Sequence, residues 1–96
     1  MDAKMYSLKA RLLKSKYAPF YEEFKKSHDD RIIVCNCLDK LVESCKAMEK
    51  VDDLFIKVAF SDALAEEEKT MEKIVTRFTG KVWVPFSGWK DGDVKA

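Results

Sequence analysis

Glycine and histidine are scarce in this chain of 96 residues, and their scarcity excludes several kinds of functional site. All three glycines lie at or after residue 80, so no glycine-rich loop is present to bind a phosphate group. His28 is the only histidine, and with Asp29 and Asp30 it is more typical of a helix start than of a catalytic base with its orienting carboxylate. No apolar run approaches the roughly 20 residues that a membrane-spanning helix needs.

The sequence has three cysteines, and they predict neither a disulfide framework nor a metal site. Cys35 and Cys37 are two residues apart, so on a helix they point about 160° away from each other and cannot share a metal ion. Together with Cys45 they are interpreted as small apolar core residues of a protein in a reducing compartment. The consecutive glutamates at 66–68 favour helix-dipole compensation over a pair of catalytic carboxylates. We therefore predict a non-enzyme with no catalytic residue, no metal and no cofactor.

The composition is that of one globular domain, with 47% apolar and 36% charged residues. A net charge of +1 excludes a uniformly basic nucleic-acid binder but leaves room for a local basic stripe. The N-terminus lacks the unbroken apolar core of a signal peptide, so we expect an intracellular protein.

Residues 30–60 carry the strongest pattern, an apolar heptad repeat. Seven of its eight a and d positions are apolar or thiol, and Ser44 is the exception. The pattern predicts one helix of about 30 residues, roughly 45 Å long, with a seam that another helix covers. We expect a second copy of the chain to cover it. The predicted dimer interface consists of Val34, Cys37, Leu41, Met48, Val51 and Phe55.

Shorter helices are predicted on both sides of the long one. A first helix spans 2–16, with an apolar arc of Met5, Leu8 and Leu12 that is widened by Tyr6, Leu13 and Tyr17. Pro19 begins a short second helix, and 27–30 form a turn. Ser61 or Asp62 starts the last helix, which Gly80 ends after Thr79. The predicted fold is all-α, a helical hairpin or bundle over 1–80 with one long central helix, which dimerises into a four-helix bundle.

The last 16 residues, 81–96, are predicted to form a separate aromatic tail. Residues 81–86 are expected to be extended and 87–92 to be turn or coil. Two interpretations of Trp83, Phe86 and Trp89 stay open. The tail packs back over a groove in the bundle, or it binds a partner protein.

Two stripes of basic residues indicate a nucleic-acid contact. On the first helix, Lys4, Arg11 and Lys14 share a face with Ser7 and with no acid. Lysine, arginine and hydroxyl groups suit contacts with phosphates and 2′-hydroxyls, by which duplex RNA is recognised through its shape. The second stripe runs along the long helix and is interrupted by Glu43 and Asp53, which weaken its field. Its basic members are Lys46, Lys50 and Lys57.

Two short stretches resemble the small RNA-silencing suppressors of nodaviruses. The first is Leu54-Phe55-Ile56-Lys57 followed by Ala63-Leu64 and glutamates, and the second is Cys37-Leu38-Asp39-Lys40. Val58 stands where that family has proline, and the spacing between the two stretches also differs. The resemblance implies an all-α homodimer whose paired long helices lie along double-stranded RNA and shield it from dicing and loading. It adds Lys40 as a candidate RNA contact and also includes Lys57.

The sequence thus predicts a viral suppressor of RNA silencing that acts in the cytoplasm of the host cell. Its predicted RNA-binding residues are Lys4, Arg11, Lys14, Lys40, Lys46, Lys50 and Lys57. The first alternative is a non-enzymatic helical adaptor or inhibitor that binds a host protein through the aromatic tail or a helix groove. A structural coiled-coil spacer fits less well, because the heptad pattern lasts only about four repeats.

Overall fold

The computed structural model describes the backbone of residues 3–92 and the side chains from Met5 onward. Three helices are followed by a β-hairpin. The helices are α1 (Ala3–Lys25), α2 (Arg31–Met48) and α3 (Leu54–Thr79), and the strands are β1 (Lys81–Val84) and β2 (Gly88–Asp91). The predicted helical character is confirmed, and the chain ends in a small antiparallel sheet. No helix within residues 3–92 has the length and apolarity to cross a membrane.

The first helix is longer than predicted, because it continues through Pro19 to Lys25. Proline removes one helical hydrogen bond and crowds the carbonyl four residues earlier. Pro19 and Ser15 both lie on the exposed side of α1, where water can satisfy that carbonyl. On the opposite side, Tyr17 and Phe20 are buried, and their packing favours one continuous helix.

The predicted long helix over 30–60 is wrong, because the chain turns back between Met48 and Leu54. Asp53 has an extended backbone, and its carboxylate accepts the backbone N–H groups of Phe55 at 2.8 Å and Ile56 at 3.3 Å. Such an N-cap satisfies donors that a new helix would otherwise leave open. Ser61 and Asp62, which were predicted to start the last helix, lie inside α3 instead.

The turn lets the chain cover its own apolar seam. Val34, Leu41 and Met48 are buried between α2 and the other two helices of the same chain. A second copy is therefore not needed to bury them, because α3 folds back along α2 and supplies the required apolar side chains. Those side chains are Leu64, Met71, Ile74 and Val75.

The other predicted interface residues are less buried. Cys37 and Val51 are half-buried against the core, and Phe55 is 86% exposed.

The C-terminal segment is a hairpin that packs on α1. Gly80, with φ 76°, ends α3, and Trp83 then pairs with Trp89 across the two strands. The extended prediction is confirmed for 81–84, whereas 88–91 form a strand where turn or coil was predicted. The Trp89 ring lies 5.1 Å from that of Phe20 and 5.9 Å from that of Tyr17. The predicted tail also includes residues 93–96, which lie outside the described part.

Candidate protein-binding groove

Seven large apolar side chains in the N-terminal halves of α1 and α3 are about half exposed or more. Their exposed fractions range from 49% for Met5 to 86% for Phe55. The set comprises Met5, Leu8 and Leu12 on α1 and Leu54, Phe55, Ile56 and Val58 on α3. Exposed apolar side chains are ordinary when scattered, whereas large contiguous apolar patches are uncommon on monomeric proteins.

The two groups lie at the same end of the molecule, because α1 and α3 run side by side in the same direction. Tyr6 and Phe60 are in edge-to-face contact with ring centroids 5.9 Å apart, and Lys16 pairs with Glu68 further along. On α1, the residues at 5, 8 and 12 share one face, since helical neighbours recur every three or four positions. The same rule places Leu54 and Val58 on the row of α3 that leads to Glu68.

A groove of about 390 Å³ runs between α1 and α3 and reaches the hairpin. Leu12 links the groove to the exposed stripe, since it belongs to both. Apolar and aromatic side chains form most of the lining, and three charged residues stand among them. The apolar members are Leu12, Leu13, Leu64, Trp83 and Trp89, and the charged ones are Lys9, Lys16 and Glu68.

Lys16 fixes the end of the groove that adjoins the hairpin. Its ammonium lies 3.3 Å from Glu68 and 2.5 Å from Glu72, and only 9% of its side chain is exposed. The same ammonium stands 4.7 Å from the centroid of the Trp83 ring, within cation–π range. The Lys16 carbonyl accepts the indole N–H of Trp89 at 2.6 Å. One residue therefore joins both helices to the hairpin.

Tyr17 lies beneath the hairpin and is fully buried. Its hydroxyl has no hydrogen-bond partner among the described residues. Burial raises the pKa of the Tyr17 hydroxyl strongly, and the nearby carboxylates of Glu68 and Glu72 raise it further. The hydroxyl is therefore held in its neutral form.

The predicted apolar role of the cysteines agrees with their positions. Cys35 and Cys45 are buried and Cys37 is half-buried, and burial raises the pKa of all three thiols. Thiols with a raised pKa are poor nucleophiles near neutral pH. Within residues 3–92, no three His, Cys, Asp or Glu side chains are grouped to hold a metal ion.

The residues around His28 stabilise the start of α2. Asp29 accepts the Arg31 backbone N–H at 3.1 Å and pairs with the Arg31 guanidinium at 2.8 Å. These hydrogen bonds lower the pKa of the Asp29 carboxyl to about 2. Asp30 reaches Arg77 of α3 at 2.7 Å.

The predicted basic stripes are only partly brought together. Lys14 and Lys46 line one groove of about 510 Å³ between α1 and α2, and Arg11 is exposed one turn before Lys14. Three acidic residues line or border the same groove, namely Glu22, Asp39 and Glu43.

The other predicted RNA contacts lie elsewhere. Lys40 is about 120° around α2 from Lys46, Lys50 lies in the turn after α2, and Lys57 is half-buried on α3. The straight row of Lys46, Lys50 and Lys57 is not formed, because α2 ends at Met48. The side chain of Lys4 lies outside the described residues.

The three aromatic residues of the tail have different environments. Trp83 and Trp89 are half-buried and in contact with each other, with ring centroids 5.2 Å apart. Phe86 is fully exposed at the tip of the hairpin. Of the proposed partner contacts, Phe86 alone projects entirely into solvent.

Only part of the predicted apolar arc of α1 enters the core. Tyr6, Leu13 and Tyr17 are buried, whereas Met5, Leu8 and Leu12 are exposed. The sequence of α3 contained a signal for this exposed apolar surface. Residues 54–60 are apolar on every side except at Lys57, which exceeds what one buried face requires.

Comparison with known proteins gives no match: no family model, no curated protein and no solved structure is similar to this chain. The resemblance to nodavirus suppressors therefore stays a prediction.

Proposed function

We propose that this chain is a non-enzymatic protein-binding module, and that an amphipathic helix of a partner protein binds along the α1–α3 groove. The observation that carries the proposal is that Leu12 belongs both to the exposed apolar end and to the lining of the groove. Helix-in-groove recognition uses such a surface, with partner side chains at i, i+3, i+4 and i+7 as anchors.

The dimensions and chemistry of the groove suit a helix. Neighbouring helices pack with axes about 8–10 Å apart, so a helix of the partner protein can contact α1 and α3 at the same time. It would cover Leu8 and Leu12 on one side and Leu54 and Val58 on the other. Full burial of one large apolar side chain contributes about 1.5–3 kcal/mol to binding. Each of these four side chains is already partly buried, so covering its exposed part contributes about half of that value or slightly more.

Site-specific photo-cross-linking tests this proposal. A photoreactive residue at Leu12 is compared with one at Glu22, which is exposed on the same helix away from the groove. A protein that is cross-linked by the probe at Leu12 but not by the probe at Glu22 is then purified. Its affinity is measured for the wild-type chain, for Leu12→Ser and for Glu22→Ser. We expect Leu12→Ser to weaken binding at least tenfold, or about 1.4 kcal/mol, and Glu22→Ser to leave it unchanged. Equal capture from both positions, or equal affinity of both variants, would overturn the proposal.

The predicted homodimer is a second proposal for the same apolar end, and it is favoured by the exposure of Phe55. Sedimentation at low micromolar concentration should then show a dimer for the wild type and a monomer for Phe55→Ser. A monomeric wild-type chain removes the homodimer and leaves the hetero-complex as the only use of this surface.

Duplex-RNA binding by a viral suppressor of silencing is the alternative function. It is favoured by the proximity of Lys14, Lys46 and Arg11. α2 is about 27 Å long instead of the predicted 45 Å, so fewer phosphates are within its reach. A gel-shift series with duplex RNA, duplex DNA and single-stranded RNA tests it, with Lys46→Gln compared with Lys69→Gln on α3. Sequence-independent binding that falls with salt and with Lys46→Gln supports it, and the absence of any shift at low salt removes it.

A further inference from the structure

The tip of the β-hairpin combines backbone strain with full exposure of an aromatic ring. The Ser87 N–H bonds to the Val84 carbonyl at 2.9 Å, so 84–87 form a β-turn with Pro85 and Phe86 at its centre. Phe86 has φ 68°, and it is the only non-glycine residue with a positive φ within the described part of the chain. Its side chain is as exposed as in an extended peptide, at 107%.

This turn is of a type that ordinarily takes glycine or asparagine in the position of Phe86. Proline at the second position fixes φ near −65° and excludes the mirror-image turns, and a positive φ at the third position then defines a type II turn. A bulky side chain is disfavoured there by its own Cβ. Neither the strain nor the exposure of Phe86 helps the isolated chain to fold.

The base of the hairpin is bonded to α1 and closed across its own two strands. Trp89 is bonded to the Lys16 carbonyl, Lys81 pairs with Asp91 at 3.0 Å, and the Gly92 N–H bonds to the Gly80 carbonyl at 2.7 Å. An aromatic side chain that is presented by a rigid turn loses little conformational entropy when it binds. Exposed rings that are strained and preorganised in this way are characteristic of functional contacts.

We propose that Phe86 is a preorganised anchor that inserts its ring into an apolar pocket of a partner protein, flanked by contacts from Val84 and Pro85. The inference rests on the proposed protein-binding function and adds a second contact to it. The α1–α3 groove is lined at its far end by Trp83, Gly88 and Trp89 of the same hairpin. A partner helix in the groove therefore brings its own domain close to the tip. A protein pocket is favoured over a lipid surface, because the tip carries a single ring, and stable attachment to a lipid surface takes more apolar area than one ring provides.

The decisive experiment separates the ring from the backbone conformation. Phe86→Asn removes the ring but tolerates the left-handed conformation, Phe86→Tyr keeps an aromatic ring, and Ser87→Ala alters the exposed neighbour. We expect Phe86→Asn to bind the purified cross-linked partner at least tenfold more weakly. Its thermal midpoint should equal that of the wild type or exceed it by a few degrees, because the strain is relieved. Phe86→Tyr and Ser87→Ala should bind within about twofold of the wild type, since each retains an aromatic ring at the tip.

The outcomes distinguish this inference from the groove proposal. If Leu12→Ser weakens binding and Phe86→Asn does not, the anchor is wrong and the groove stands. If neither variant weakens binding, both proposals are overturned. A fall in the thermal midpoint of Phe86→Asn would show that the ring serves the fold, against the anchor. Flotation with vesicles of phosphatidylcholine and phosphatidylserine provides the last test. Vesicle binding that Phe86→Asn abolishes would identify a lipid contact and overturn the protein pocket.

Discussion

Trp89 donates its indole N–H to the backbone carbonyl of Lys16 at 2.6 Å, across 73 positions of the sequence. This carbonyl belongs to the residue whose ammonium binds Glu68 and Glu72 of α3. The hairpin is thereby joined to the point where α1 and α3 are themselves linked. Substitutions at Trp89, Lys16, Asp53 and Tyr17, each with a control variant, test how much these residues contribute to stability.

The Trp89 hydrogen bond should be measurable with a substitution that keeps an aromatic ring. Trp89→Phe removes the donor and leaves the Lys16 carbonyl without this bond, at an expected cost of about 1 kcal/mol. Urea unfolding followed by circular dichroism at 222 nm gives the free energy. Trp83→Phe, which keeps the Trp89 bond, is the control, and an equal loss in both variants would show that ring volume rather than the hydrogen bond matters.

The Lys16 ion pairs should contribute more than a surface pair does. Lys16→Met keeps the aliphatic part of the side chain but leaves two neighbouring carboxylates without their cation. We expect a loss of about 2 kcal/mol, less than the roughly 3–5 kcal/mol of a fully buried pair, because the carboxylates are 25% and 35% exposed.

The matched control for Lys16 is Lys69→Met, which breaks the exposed pair with Glu66 and should cost under about 0.5 kcal/mol. Adding Glu72→Gln to Lys16→Met should recover part of the loss. No recovery in the double variant would mean that the electrostatic explanation is wrong.

Asp53 should matter more than its neighbour Asp52, because only its carboxylate is bonded to the first turn of α3. Asp53→Ala is expected to cost about 1 kcal/mol, the usual contribution of an N-cap, and Asp52→Ala less than half of that. Thermal unfolding of the two variants in parallel measures the difference. Equal midpoints would indicate that packing alone sets the start of α3.

Tyr17 should make stability fall at alkaline pH. Its pKa in the folded chain lies above the ordinary value of 10, so its contribution is complete below pH 10. Above pH 10 the contribution is lost as the pH rises, because the unfolded chain releases the proton and the folded chain keeps it. Tyr17→Phe should reduce this loss, as measured by urea unfolding at about pH 8 and about pH 11.

At about pH 7, Tyr17→Phe should leave stability unchanged or raise it, since it removes a buried hydroxyl that has no partner in the described structure. Tyr21→Phe makes the identical change where the hydroxyl binds Asp39 at 3.0 Å, and it should lower stability by up to about 1 kcal/mol. Destabilisation of the Tyr17 variant at neutral pH would be evidence for a partner that its hydroxyl does use.

Local patterns were sufficient for the parts of the fold that depend on neighbouring residues. Apolar periodicity predicted helix over most of 2–79, Gly80 predicted the end of α3, and the composition of 81–84 predicted an extended segment. Each of these follows from backbone geometry and side-chain spacing within a few residues, which the sequence contains directly. Only part of the candidate site could be predicted from the sequence. Phe86 was identified as a possible contact, but the groove joins helices that are about 50 positions apart in the sequence, as Lys16 and Glu68 show.

Only the tertiary structure decided where the chain turns and which apolar faces are covered. A heptad seam requires a covering helix, but the repeat from Val34 onward is satisfied equally by a second chain or by α3 of the same chain. The Asp53 cap selects the second solution here. On α1, two overlapping apolar arcs, one with Tyr17 and one with Leu12, are both able to face the core. The packing of α2 and α3 buries Tyr17 and leaves Leu12 exposed. The sequence by itself determined that this protein is helical and rich in apolar surface. Long-range packing determined which part of that surface remains available for binding, because burial depends on neighbours that are distant in the chain.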